Sequence, residues 1–138
     1  MRALLLLLVS WPLVAGADDV APSTSAMKEM LHGIIRKQLE AFRRDDFVTA
    51  YTFAAEGIKS QFPLSAFEKM VRVGYPLIAK SNDAVFGLTL DDGDHAVVTV
   101  RITGPDQVAG TYQYLLERTG KDWRIAGVQE LDAKDGPI

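Results

Sequence analysis

Around Ser81-Asn82 the spacing of apolar residues in this chain changes from a helical period to an alternating one. A period of 3.6 lines one stripe of a helix and a period of two lines one face of a strand, so one segment cannot serve both. Helices are therefore expected before this point and strands after it. The alternating runs are Ala84–Leu90, His95–Thr103, Thr111–Arg118 and Trp123–Leu131, separated by turn residues. Short connections make them a four-stranded antiparallel meander. N-terminal helices packed on one face of such a sheet define the α+β class.

The first helix is expected from Ser25, as N-cap, to about Arg44, with Met27, Met30, Leu31, Ile34, Ala41 and Phe42 in one broad stripe. Asp45-Asp46 ends it and can cap a short second helix carrying Phe47, Ala50, Tyr51 and Ala54, which Gly57 stops. Ser65 and Glu68 form a capping box for a third helix that ends at Gly74, just before Pro76.

Strand register decides which side chains face the helices, because a one-residue slip exchanges the faces. A three-residue Asp91-Asp92-Gly93 loop opposes Phe86 to Val98 and Leu88 to Ala96. In the last hairpin, Glu117 opposite Arg124 is a favourable charge pair. That register also sets Leu116 against Ile125, Tyr114 against Gly127 and Tyr112 against Gln129. It turns Tyr112, Tyr114 and Gln129 inward, and leaves Glu117 and Glu130 outward.

The N-terminus carries Arg2, an apolar and mainly leucine run over Ala3–Val9, and an A-x-A motif at Ala15-Gly16-Ala17. This is the pattern of a cleaved signal peptide, residues 1–17. At ~1.5 Å per residue, Ala3–Ala17 reaches about 22 Å, short of a ~30 Å hydrocarbon core. The expectation is an exported protein, periplasmic or secreted, with no membrane anchor after cleavage. A loose leader over residues 18–24 and a single domain over 25–138 follow. The chain has no cysteine, which excludes disulfides, a thiol nucleophile and cysteine-ligated metal. Its 15 Lys+Arg against 18 Asp+Glu, a net charge of −3, argue against a nucleic-acid partner.

A resemblance rests on Gln38-Leu39-Glu40-Ala41-Phe42-Arg43-Arg44-Asp45-Asp46, Phe53-Ala54-Ala55-Glu56-Gly57-Ile58, Gly74-Tyr75-Pro76 and Trp123-Arg124-Ile125-Ala126-Gly127-Val128. Through these the chain resembles a bacterial exported family of unknown function. That family is itself similar to the nuclear-transport-factor-two-like, cystatin-like α+β superfamily. Ala55-Glu56-Gly57 departs from it where the family tends to place proline. The resemblance implies a curved sheet wrapped around the first helix, often with a pocket between them. The superfamily holds isomerases, dehydratases, ligand binders and interaction modules, so fold alone selects no function.

The chemistry-bearing residues narrow the choice. His32 and His95 are far apart in sequence and read as surface residues, so no metal and no cofactor are expected. With no carboxylate on the inward rows, an isomerase- or dehydratase-like enzyme lacks its base. Gln38 falls in the middle of the first helix's apolar stripe, where a buried amide needs partners. A carbonyl at the corner between the first two helices would satisfy it. A cup shared with Tyr112, Tyr114 and Gln129, and Tyr51 at its mouth, would instead have the usual form of a small-molecule site. The resulting expectation is a non-catalytic ligand-binding or protein-interaction module, taking a small hydrophobic ligand, with the enzyme as alternative. Leu115, Ala126 and Val128 give the outward sheet face an apolar centre suited to a homodimer.

Overall fold

The computed structural model describes residues 20–131; the signal-peptide pattern and the cleavage motif lie outside the described residues. Helices α1 (Ser25–Arg43), α2 (Phe47–Thr52), α3 (Glu56–Gln61), α4 (Leu64–Gly74) and α5 (Pro76–Ala79) precede the long strands. These are β2 (Asp83–Asp91), β3 (His95–Thr103), β4 (Ala109–Thr119) and β5 (Asp122–Leu131). A two-residue strand β1 (Ala21–Pro22) makes the sheet five-stranded, in the order β1-β2-β3-β4-β5, with every pair antiparallel. The stretch read as a loose leader is thus tied down from Ala21 onward. Ser23 N–H donates to Thr89 O at 3.0 Å, and its hydroxyl donates to the Asp91 carboxylate.

Among the described residues no helix is long and apolar enough to cross a membrane.

Helix boundaries follow local chemistry. Thr24, not Ser25, caps α1: its backbone is extended and its hydroxyl accepts from Met27 N–H at 3.1 Å. The buried stripe of α1 comprises Leu31, Ile35, Gln38, Leu39, Ala41 and Phe42, whereas Met30 is 47% exposed. Asp46 caps α2 by accepting from Thr49 N–H at 3.1 Å, as its position suggests. No capping box forms at Ser65, because α4 begins two residues earlier than expected, at Leu64 after Pro63. The Pro63 carbonyl takes Phe67 N–H at 2.8 Å, and Glu68 pairs instead with Arg72 at 2.9 Å, one turn on. Gly57 does not stop a helix; it lies in the first turn of α3. Gly74 ends α4 without the positive φ that Gly93 and Gly120 adopt.

The two hairpin turns behave differently from the two strands they lead into. Glu117 opposes Arg124 and Leu116 opposes Ile125, as the sequence predicts, and the pairing runs on to Thr119 opposite Asp122. Arg124 reaches Asp122 at 3.6 Å. Beyond Leu116 the register shifts: Leu115 opposes Gly127, Tyr114 opposes Val128 and Tyr112 opposes Glu130, leaving Ala126 as an extra residue. This β-bulge exchanges the faces of the far half of β5. Gln129 therefore turns outward and Glu130 shares the face of Tyr112, both contrary to expectation. Val128 leaves the outward face and Ala126 is 1% exposed, so the expected apolar centre there keeps only Leu115.

A second irregularity, between Phe86 and Thr89, changes β2 in the same way. Phe86 opposes Val100 and Thr89 opposes Val98, so Thr89 faces the helices while Leu88 is 57% exposed. The connection into β3 is Asp92-Gly93-Asp94, three residues long but one residue later than the expected Asp91-Asp92-Gly93 loop. Asp92 N–H donates to His95 O at 3.0 Å, with Gly93 at φ +95° between them.

These glycines give opposite expectations for one substitution. A Cβ at Gly57 or at Gly93 would meet nothing within 4 Å, so only the backbone decides. Gly57→Ala should stabilise the protein by about 0.4–1 kcal/mol through helix propensity and unfolded-state entropy. Gly93→Ala should cost about 1–2 kcal/mol, the strain of a left-handed L-residue. Urea denaturation measures both, and a loss at Gly57 would mean that this residue ends a helix after all.

Candidate functional site

The core between helices and sheet is interrupted by a cavity of about 40 Å³. That is room for a few waters, where one needs about 10–15 Å³. Its floor is sheet: Tyr114 from β4, with Ile125 and Val128 from β5. Helix α1 contributes Gln38 and Phe42, and α4 contributes Phe67, Met70 and Val71. Tyr75, Ile78, Ala54 and Ile58 complete the lining. No charged side chain lines it.

Three polar groups reach this space and have different fates. Gln38, 4% exposed, donates from its amide nitrogen to Ala50 O at 3.1 Å, tying α1 to α2. Tyr75 donates its hydroxyl to Val128 O at 2.9 Å, tying the α4–α5 junction to β5. The Tyr114 hydroxyl is fully buried and has no hydrogen-bond partner. A buried hydroxyl left dry costs roughly 1–3 kcal/mol. Burial also pushes its ionisation well above the ordinary phenol range, with Tyr112 and Tyr75 adding to the shift. Tyr75 is pushed up to about 12 by burial and then by the negative charge of Glu130. Tyr112 is raised by burial first, then by Glu130 and Tyr75. All three remain neutral phenols near pH 7.

Of the residues singled out from the sequence, the cavity brings Gln38 and Tyr114 together. Tyr112 is buried beside them, its ring centroid 6.3 Å from that of Tyr75, without lining the space. Gln129 is exposed on the outer face because of the bulge. Tyr51 is not at a mouth: its hydroxyl donates to Phe62 O at 2.6 Å and clamps the connection between α3 and α4. The lining also uses Met70, Tyr75 and Val128, the last of which was expected on the outward face. An interior glycine in a strand is a recognised bulge signal, and Gly127 is one.

A second cleft, of about 200 Å³, opens on another side of α1 between Arg36, Glu40, Arg43 and the segment Ser81–Ala84. Two guanidinium groups and the carboxylates of Glu40 and Asp83 share its walls, so its charges balance. Among the described residues no group of three His, Asp or Glu side chains is placed to hold a metal ion.

His32 is not a solvated surface residue. It stacks on Phe86 at 4.3 Å and 9°, and its Nε2 lies 2.9 Å from Thr89 Oγ1. The Thr89 hydroxyl donates its own proton to Gly87 O at 3.0 Å, so the imidazole must be the donor to Thr89. Burial, then Arg36 and Lys28, lower the pKa of His32 below its ordinary value. His95, on the outer face as expected, lies 3.5 Å from the Asp92 carboxylate.

Two predictions follow from these contacts. Tyr114→Phe should hold or raise stability, by up to about 1 kcal/mol, while Gln38→Leu should lower it by about 1 kcal/mol. Chemical denaturation separates the two directions, and a clear loss in Tyr114→Phe would mean that its hydroxyl has a partner. For His32, a folded pKa below the unfolded value means that the unfolded chain binds the proton first. Its contribution is complete above the unfolded pKa of about 6.5 and is lost as pH falls through that value toward the lowered one. The denaturation midpoint should drop between pH 7.5 and 5.5, and His32→Gln should flatten that drop; an unchanged slope would remove His32 as its source.

Comparisons with the curated proteins and with the solved structures give no match. The sequence model of one family does match, over residues 24–137, which takes in every described helix and the four long strands. The chain belongs to that family, described as Domain of unknown function (DUF4864).

Proposed function

We propose that this protein is an exported, non-catalytic binding domain of the nuclear-transport-factor-two-like, cystatin-like type, which takes a small apolar molecule into the cavity over Tyr114. The observation that carries this reading is the fully buried Tyr114 hydroxyl, without a partner, at an apolar cavity also lined by Gln38. Natural folds satisfy nearly all buried polar groups, so an orphan hydroxyl on a side chain that lines a cavity is where a ligand atom would find a use. The order of helices then antiparallel sheet supports the superfamily assignment. The apolar run before Ala15-Gly16-Ala17 supports export.

One observation favours the enzymatic alternative. The bulge in β5 puts Glu130 on the face of Tyr112, where its charge reaches both Tyr112 and Tyr75. A carboxylate beside tyrosines is the constellation an isomerase- or dehydratase-like base would need. Glu130 is exposed and does not line the cavity, and the Tyr75 hydroxyl is already given to Val128. Binding without catalysis is therefore the reading kept.

Amide shift mapping of the protein with added 1-hexanol tests it. Perturbations should gather at Gln38, Met70, Tyr114 and Val128. Shifts scattered over the surface, or none up to the solubility of the alcohol, would overturn the reading. Deuterium exchange into an added ketone, lost in Glu130→Gln, would instead favour the enzyme.

A further inference from the structure

Resting on that reading of the cavity, we infer that the site selects by charge: it takes an uncharged molecule bearing a hydrogen-bond acceptor, such as a ketone, and rejects the carboxylate of the same length. The inference comes from what each polar group has left to give. Tyr75 has one proton and donates it to Val128 O. Gln38 carries two amide protons and gives one to Ala50 O, which leaves a second donor on a side chain that lines the cavity. The Tyr114 hydroxyl gives its proton to nothing. The side chains that line the space therefore hold two neutral donors that the fold does not use, one on α1 and one on β4.

A carbonyl oxygen needs no more than that. A carboxylate does, because an ion moved into apolar surroundings must be paired or fully hydrogen-bonded. The lining holds no arginine, lysine or histidine, and the carboxylate on the Tyr112 side of the sheet, Glu130, is negative. Tyr114 itself keeps its proton, since burial opposes its ionisation, so it stays a donor throughout the neutral range. The other walls are hydrocarbon, and Met70, partly buried and unbranched, is the wall side chain best able to move aside for a ligand larger than the present space.

Calorimetric titration of the protein with hexan-2-one and with hexanoate at pH 7.5 tests the inference, with Tyr114→Phe as the variant. Hexan-2-one should bind at least about tenfold more tightly than hexanoate, because the lone carboxylate is not paired. Tyr114→Phe should weaken hexan-2-one by about fivefold, the worth of one net hydrogen bond, while the thermal midpoint of the variant shows that the fold is intact. Equal or tighter binding of hexanoate overturns the charge selection and leaves the cavity a binding site. An unchanged ketone affinity in Tyr114→Phe overturns the role of that hydroxyl. If neither probe binds the parent protein, the binding reading falls and the inference with it.

Discussion

The helical layer and the sheet meet at the backbone of Ile125. Its N–H donates to Phe53 O and its carbonyl accepts from Ala55 N–H, both at 2.8 Å, so the segment between α2 and α3 lies along the free edge of β5. A strand edge left open is a template for pairing with another chain. Here it is occupied at Ile125 by the chain's own backbone. The extra residue, Ala126, follows directly, and bulges are frequent where an edge must turn. Everything distal to it changes face. Val128 comes to line the cavity, and its carbonyl receives the Tyr75 hydroxyl. That part of the lining is therefore a consequence of how the edge is protected.

The cavity persists because its walls belong to elements anchored elsewhere. Gln38 is held to α2, Tyr75 to β5, and Tyr51 to the carbonyl that ends α3. The rings of Phe42 and Phe67 pack together in the lining, and Tyr51, outside it, packs on Phe67, with centroids 6.0 and 5.0 Å apart. Collapse onto Tyr114 would have to break one of those hydrogen bonds or displace those rings. Each costs on the order of 1 kcal/mol or more, comparable with what filling so small a void returns. An unfilled space beside an unpartnered hydroxyl is the balance between these terms.

Much of this was legible in the sequence, and the misreadings share a cause. The change of period at Ser81-Asn82 located the boundary between helices and sheet, and helical phase alone put Gln38 in the core. Alternation placed Tyr112 and Tyr114 inward, and the charge pair at the last turn set the register as far as Leu116–Ile125. Period-two counting fails at an inserted residue, so Gln129, Glu130 and Val128 were assigned to the wrong faces together. Tyr51 was misread because its partner, the Phe62 carbonyl, belongs to a turn between helices that carries no periodic signal. His32 was misread because the strand segment it meets changes face at the other bulge.

Both bulges occur beside interior glycines of the sheet, Gly87 and Gly127, and both convert a strand irregularity into a tie between layers. At Gly87 the shift turns Thr89 inward, where its hydroxyl accepts from His32 on α1. At Gly127 it turns Val128 inward, below the α4–α5 junction, where its carbonyl accepts from Tyr75. Without the first shift, Leu88 would occupy the row of Thr89 and offer no hydroxyl to the helix; without the second, Gly127 would stand where Val128 does. The two ties sit toward opposite edges of the sheet, on β2 and β5, and the dry core runs between them through Val98, Val100 and Leu116. Tyr114 stands on β4 beside the second tie, and its hydroxyl is the polar group that neither bulge provides for. The same irregularity leaves Tyr114 facing Val128 instead of the expected Gly127. Within the described residues its proton has no acceptor.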